Sequence, residues 1–134
     1  MEWSHNVFIC HSWDETQAYA ALVGMLDTAP GFRWTNLSIP MDRPIRAPDI
    51  LPLDIRIRLK TAQVLLLLSH GYTMTHDWMH LEINSAQRYG IPVVAILPEG
   101  QREAPPHVWG RAVLVVRWDQ NTIVAAIEAC APPD

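Results

Sequence analysis

The sequence predicts an α/β domain built on a five-stranded parallel sheet, and three observations predict it. Short runs of Val, Ile and Leu at Val64 to Ser69, Val93 to Leu97 and Val113 to Val116 are too brief for typical helices. They are uniformly apolar, as strands buried on both faces are. Between them lie stretches whose apolar residues recur at helical spacing. Strand and helix alternate five times along the 134 residues, with connections long enough for the crossovers that parallel pairing needs. The architecture expected is three-layered and flavodoxin-like, with strand order 2-1-3-4-5.

Each element has its own signature. Val7-Phe8-Ile9-Cys10 is the first strand. Ser12, Trp13, Asp14 and Glu15 then supply a cap and first-turn acids, and Tyr19, Leu22, Val23 and Leu26 carry a helix as far as Pro30-Gly31. Phe32 to Ile39 is the second strand; Phe32 and Trp34 alternate with polar residues, so partial burial is expected. Asp49 is expected to cap the second helix, with Pro52 in its first turn and Leu53, Ile57 and Thr61 on one face. After the third strand a helix is expected from about His76 to Tyr89, stopped by Gly90. The fourth connection, Glu99 to Gly110, is rich in Pro and Gly and has room for no more than a short helical turn. Asn121 or Thr122 opens the last helix, which runs through Ile123, Val124 and Ile127 and ends at Pro132-Pro133.

Composition bounds the function. With 134 residues, 49% hydrophobic and 18% charged, a single domain over residues 1–134 is expected. Such a chain buries roughly two thirds of its unfolded surface without disulfides or structural metal. The longest strongly apolar run, Val64 to Leu68, is far short of the roughly 20 residues that cross a bilayer. The first residues, Met1 to Asn6, have neither a basic segment nor a long apolar one, so a cytoplasmic protein is expected. Cys10 and Cys130, without CxxC spacing, read as two reduced, buried thiols. A net charge of -4 with scattered Arg argues against a nucleic-acid-binding module.

In open α/β sheets ligands bind outside the carboxyl ends of the strands, which directs attention to His11 to Asp14, Pro40 to Arg46, Ser69 to Thr75 and Pro98 to Gly100. The most informative anomaly is Glu82. On a helical wheel Trp78, Met79, Ile83 and Ala86 form one apolar arc, and Glu82 falls inside it, one turn from Trp78. A carboxylate beside an indole in a partly dry cleft can bond ribose hydroxyls or stabilise a developing oxocarbenium ion. The structural alternative puts Glu82 at the boundary, its stem over Trp78 and its head paired with an Arg.

His11 and Ser12 adjoin on a strand end and point to opposite faces, so they make a poor catalytic pair, and Ser12 or Asp14 also reads as a simple helix cap. No GxSxG elbow, Walker loop or GxGxxG is present. His76 and His80 are four apart but lack the HExxH glutamate and a third ligand, so no metal is expected. Asp42, Arg43 and Arg46 lie in a Pro-rich loop, where guanidinium groups could meet a phosphate or a partner's carboxylate, or simply water.

The order of these segments resembles the TIR (Toll/interleukin-1 receptor) superfamily over about residues 5 to 130. Val7-Phe8-Ile9-Cys10-His11-Ser12 is similar to the first TIR box, with Cys10 where Ser is usual. Asn36-Leu37-Ser38-Ile39-Pro40 with Asp42, Pro44 and Ile45 resembles the second strand and BB loop of the ThsB-type proteins of bacterial Thoeris antiphage defence. Ser69-His70-Gly71-Tyr72, followed by Trp78-Met79-His80-Leu81-Glu82-Ile83, is similar to the family's Trp-x-x-x-Glu element. Val115-Val116-Arg117-Trp118 resembles the last strand. Pro44-Ile45 in place of the receptor-type Pro-Gly fits the bacterial branch better than the animal one.

The resemblance implies an enzyme that cleaves the bond between nicotinamide and ribose in NAD, with Glu82 as the catalytic acid and NAD as substrate rather than cofactor. Phe8, His11, Ser12 and Trp78 would line the nucleotide pocket, and Asp42, Arg43 and Pro44 would complete it or contact the next subunit. It implies transfer of the ADP-ribosyl group to an internal hydroxyl or to histidine, giving a signalling nucleotide that activates an effector. Assembly of copies on activation and a phage-protein trigger are further implied partners. A catalytically inactive adaptor that assembles head to tail through Pro40 to Pro48 is the alternative. A receiver-like domain is a third reading, disfavoured because His11-Ser12 and Ser69-His70 supply no clustered acids.

Overall fold

The computed structural model describes residues 4–11, 16–38, 50–69 and 78–130. Its elements are β1 (His5–Cys10), α1 (Thr16–Thr28), β2 (Trp34–Asn36), α2 (Leu53–Thr61), β3 (Val64–Leu68), α3 (Trp78–Arg88), β4 (Val93–Ile96), α4 (Pro106–Trp109), β5 (Leu114–Val116) and α5 (Gln120–Cys130). The five strands form one sheet in the order β2-β1-β3-β4-β5, all parallel, which is the predicted topology.

Alternation of side chains across the strands makes two cores. On one face Phe8, Cys10, Leu65, Leu67, Val93 and Ala95 meet residues of α2, α3 and α4. On the other, Val7, Ile9, Leu66, Leu68, Val94 and Ile96 meet α1 and α5. β1, β3 and β4 are buried on both faces, which is why they read as unbroken apolar runs. Cys10 is buried and Cys130 half-buried, and neither is in a disulfide. Among the described residues no helix is long and apolar enough to cross a membrane.

Several boundaries differ from expectation, each for a physical reason. β1 begins at His5, two residues early, because the His5 amide bonds the Arg33 carbonyl. β2 shrinks to three residues at the sheet edge. β5 was expected to be buried on both faces; it is the other edge strand, with Val113 and Leu114 exposed. In α2, Pro52 sits at the N-cap rather than in the first turn, and the Asp49 cap lies outside the described residues. Leu53, Ile57 and Thr61 do share a face, but it is the solvent face: Leu53 is 62% and Ile57 55% exposed, whereas Ile55 and Leu59 enter the core. The first residues expected for α1 and α3, Ser12 to Glu15 and His76-Asp77, also lie outside the described residues.

α3 ends as predicted. Gly90 has φ +75, the Ile91 amide bonds the Ala86 carbonyl at 2.8 Å, and the Gly90 amide bonds that of Gln87, a Schellman-type close. A Cβ at Gly90 would meet nothing within 4 Å, so its cost is in the backbone alone. Gly90→Ala should therefore lower stability by about 1 kcal/mol, read as a shift in urea midpoint with unchanged slope.

α5 is capped by Asp119, not by Asn121 or Thr122. The Thr122 amide and hydroxyl donate to Asp119 Oδ2 at 2.9 and 2.6 Å. These two bonds, with Arg117 nearby, hold the Asp119 carboxyl below its ordinary value. A lowered folded-state pKa gives stabilisation that is present above the unfolded pKa and lost as the pH falls through the folded one. Asp119→Asn should therefore lower stability at neutral pH and flatten its loss below about pH 4, as urea titrations at both pH values would show.

Candidate functional site

The sheet order places a topological switch between β1 and β3, since the chain leaves β1 toward β2 and returns to β3 on the other side. In open α/β sheets the carboxyl ends of two such strands are where a ligand binds. α3 comes back from the β3 end and lays its first turns over this edge. The Cys10 thiol, last residue of β1, donates to the Met79 carbonyl at 3.7 Å, which ties the start of α3 to the end of β1.

Trp78, Met79, Glu82, Ile83 and Ala86 are the buried face of α3. Glu82 is 1% exposed and Trp78 6%, one helical turn apart. Sequence reasoning left a boundary position open for Glu82; the structure removes it, because the carboxylate is enclosed. A Glu on an apolar helix face is an expensive placement that cores avoid unless the group is used or compensated. Phe8 is fully buried in the α2/α3-side core, so its ring is packing for the site floor.

His11 follows β1, 2% exposed, with its ring centroid 4.3 Å from that of Tyr19 at a 31° tilt. Tyr19 opens a polar chain that the sequence did not announce. Its hydroxyl accepts from Asn36 Nδ2 at 3.0 Å, Asn36 Oδ1 accepts the Ser38 amide at 2.9 Å, and Ser38 Oγ accepts the Ile9 amide at 3.0 Å. The end of β2 is thereby fastened to β1 and α1. Arg58 of α2 adds two donations from one guanidinium nitrogen, to the carbonyls of Leu37 and Ser38 at 3.4 Å. On the β3 side, Ser69 Oγ and its amide both donate to the Ile96 carbonyl.

The structure sets Trp78 and Glu82 on the buried face of α3 on one side of the sheet, and His11 at the end of β1 against Tyr19 of α1, which packs on the other side. Ser12, Asp42, Arg43 and Pro44 lie outside the described residues. The missed residues, Tyr19, Asn36, Ser38 and Arg58, position rather than react; the polar Asn36 and Ser38 at the end of a short strand were the available signal. Among the described residues no three His, Cys, Asp or Glu gather as a metal site.

A sequence model of the family described as "Thoeris protein ThsB, TIR-like domain" matches residues 8–103, more than half of the chain. The chain belongs to the ThsB family of TIR-like domains. The matched stretch runs from within β1 to the loop after β4 and so contains Phe8, His11, Trp78 and Glu82. Among solved structures, the CMP N-glycosidase BcmB of Clostridium botulinum matches this ThsB-family chain with a TM-score of 0.51 at 14% identity. The match covers 92% of this chain and 97% of that one, and at this identity it shows a shared fold. No curated protein matches.

Proposed function

We propose that this ThsB-family domain cleaves the N-glycosidic bond of NAD, with Glu82 as the catalytic carboxylate. The observation that carries the reading is the enclosed Glu82 beside Trp78 at the β1/β3 switch. In the proposed reaction the bond between ribose C1′ and the pyridinium nitrogen breaks, its electron pair goes to nitrogen, and neutral nicotinamide leaves. The oxocarbenium left at C1′ is stabilised by the Glu82 carboxylate, which also orients the ribose hydroxyls. An acceptor hydroxyl or a histidine nitrogen then bonds C1′ and loses its proton, giving a cyclic ADP-ribose isomer or a conjugate. That product signals to an effector in antiphage defence.

Two further points support the reading. The named substrate of the structural neighbour, CMP, carries an N-glycosidic bond to ribose, as NAD does. The match to the Thoeris ThsB family supports a defence setting. Within the proposal His11, Ser12 and Trp78 line the nucleotide pocket over the Phe8 floor, and Asp42, Arg43 and Pro44 complete it or meet a neighbouring subunit.

A second reading, an inactive adaptor that assembles head to tail, is favoured by the exposed apolar residues Ile50, Leu53 and Ile57 on one side and Trp109, Val113 and Leu114 near the β5 edge. Mass spectrometry separates the two. Wild-type protein incubated with NAD, histidine and lysate of phage-infected cells is expected to release nicotinamide and yield one ADP-ribose-derived mass. Oligomers without NAD loss would favour the adaptor.

A further inference from the structure

A cleft opens at the carboxyl ends of β4 and β5. Its volume is about 300 Å³, and it is lined by Gly100, Gln101, Arg102, Arg117, Trp118 and Asp119. It shares no lining residue with α3 or the end of β1. At the usual strand spacing its centre is about 10 Å along the sheet edge from the β1/β3 switch.

The walls are preformed. The Leu97 amide donates to the Val116 carbonyl at 2.9 Å, joining the two strand ends that carry the cleft. The Gln101 amide donates to the Pro98 carbonyl at 3.0 Å across a turn in which Gly100 has φ +85, the left-handed position that glycine fills without strain. Gln101 Nε2 donates to the Glu103 carbonyl, so this side chain is committed to its own loop. On the opposite wall Asp119 caps α5, its Oδ2 accepting both bonds from Thr122.

The lining carries two guanidinium groups, of Arg102 and Arg117, and one carboxylate, that of Asp119. Arg102 is exposed and makes no hydrogen bond or ion pair among the described residues. The two guanidinium groups are fork-shaped donors suited to the oxygens of a phosphate. Trp118, half-buried against the α1/α5-side core, adds an apolar wall. A volume of about 300 Å³ admits a ligand of mononucleotide size and little more.

We propose that this cleft binds a phosphate-bearing small molecule of mononucleotide size, Arg102 and Arg117 holding the phosphate and Trp118 bordering the remainder. The site is separate from the Glu82 centre and does not depend on the activity proposed there.

The test uses the full chain, wild type and Glu82→Gln, titrated with inorganic phosphate, AMP and adenosine and followed by amide NMR and calorimetry. AMP and phosphate are expected to bind saturably to both proteins, more weakly at high salt, with shifts centred on Gly100, Arg102, Trp118 and Asp119. Adenosine should bind at least about tenfold more weakly than AMP, and Arg102→Ala with Arg117→Ala should weaken AMP by at least about tenfold, as loss of charge-assisted bonds predicts. Both arginines are exposed, so the variant keeps its fold, checked by circular dichroism. No saturable phosphate or AMP binding, shifts confined to α3, or an affinity unchanged in the double variant would each overturn the proposal. Nicotinamide release by the wild type, measured separately, reads out the Glu82 proposal alone.

Discussion

Glu82→Gln is expected to lower nicotinamide release from NAD by at least about 100-fold while leaving the protein folded. Glutamine keeps the size of the side chain, so the arc of Trp78, Met79, Ile83 and Ala86 stays packed around it. What is lost is the negative charge that faces the developing positive ribose, and an amide dipole replaces only part of that stabilisation. A structural role predicts a different pair of results. If Glu82 served only packing, the amide would leave turnover unchanged. The melting temperature, measured beside turnover, separates a chemical effect from a folding one, because breaking a buried pair would lower it. The expected pattern is a large fall in kcat in a variant that remains folded at the assay temperature. Turnover by Glu82→Gln at the wild-type rate would refute the assignment.

The parts of the fold that the sequence made legible are those where burial leaves one reading. β1, β3 and β4 lie inside the sheet, so Val7 to Cys10 of β1 and all of β3 and β4 are apolar and the parallel arrangement follows. β5 carries a similar run, but as an edge strand it turns Val113 and Leu114 to solvent, which composition alone does not reveal. In α2 the residues Leu53-Asp54-Ile55-Arg56-Ile57-Arg58-Leu59 offer two apolar stripes, one through Leu53 and Ile57 and one through Ile55 and Leu59. Period alone does not choose between them; packing on the sheet chose the second. The α5 cap was misplaced because Asp119, Asn121 and Thr122 are all good cap residues, and only the observed bonds to Asp119 separate them.

The candidate site divides the same way. Glu82 was legible because a charge inside an apolar arc is a local, one-helix signal, and its near-complete burial agrees with it. The chain from His11 through Tyr19, Asn36 and Ser38 was not, because it joins β1, α1 and β2 across the end of the sheet and exists only once their neighbourhood is formed. Likewise Arg58 is an ordinary surface residue of α2 in sequence, and its role at the end of β2 comes from the crossover that brings α2 back beside it.

Leu66→Ala is expected to have the largest effect on stability. Leu66 is fully buried on β3, the middle strand of the sheet, flanked in register by Ile9 of β1 and Val94 of β4. All three sit in the core under α1 and α5. Removing its isobutyl branch loses the transfer free energy of those carbons and leaves a cavity that rigid strands on both sides cannot close, so a cost near 3–4 kcal/mol is expected, within the ~2–5 of buried Leu to Ala changes. For a chain of this length that corresponds to a fall in melting temperature of roughly 10–15 °C. Against a total stability of about 5–15 kcal/mol, the variant still folds at low temperature. Leu53→Ala is the control: at 62% exposed it should change stability by no more than about 0.5 kcal/mol. The pair also separates core from site. Leu66→Ala leaves α3 and its buried Glu82 on the opposite face of the sheet, so per folded molecule its nicotinamide release below the melting transition should match the wild type. A drop in that specific rate would mean that the two faces of the sheet are coupled through β3.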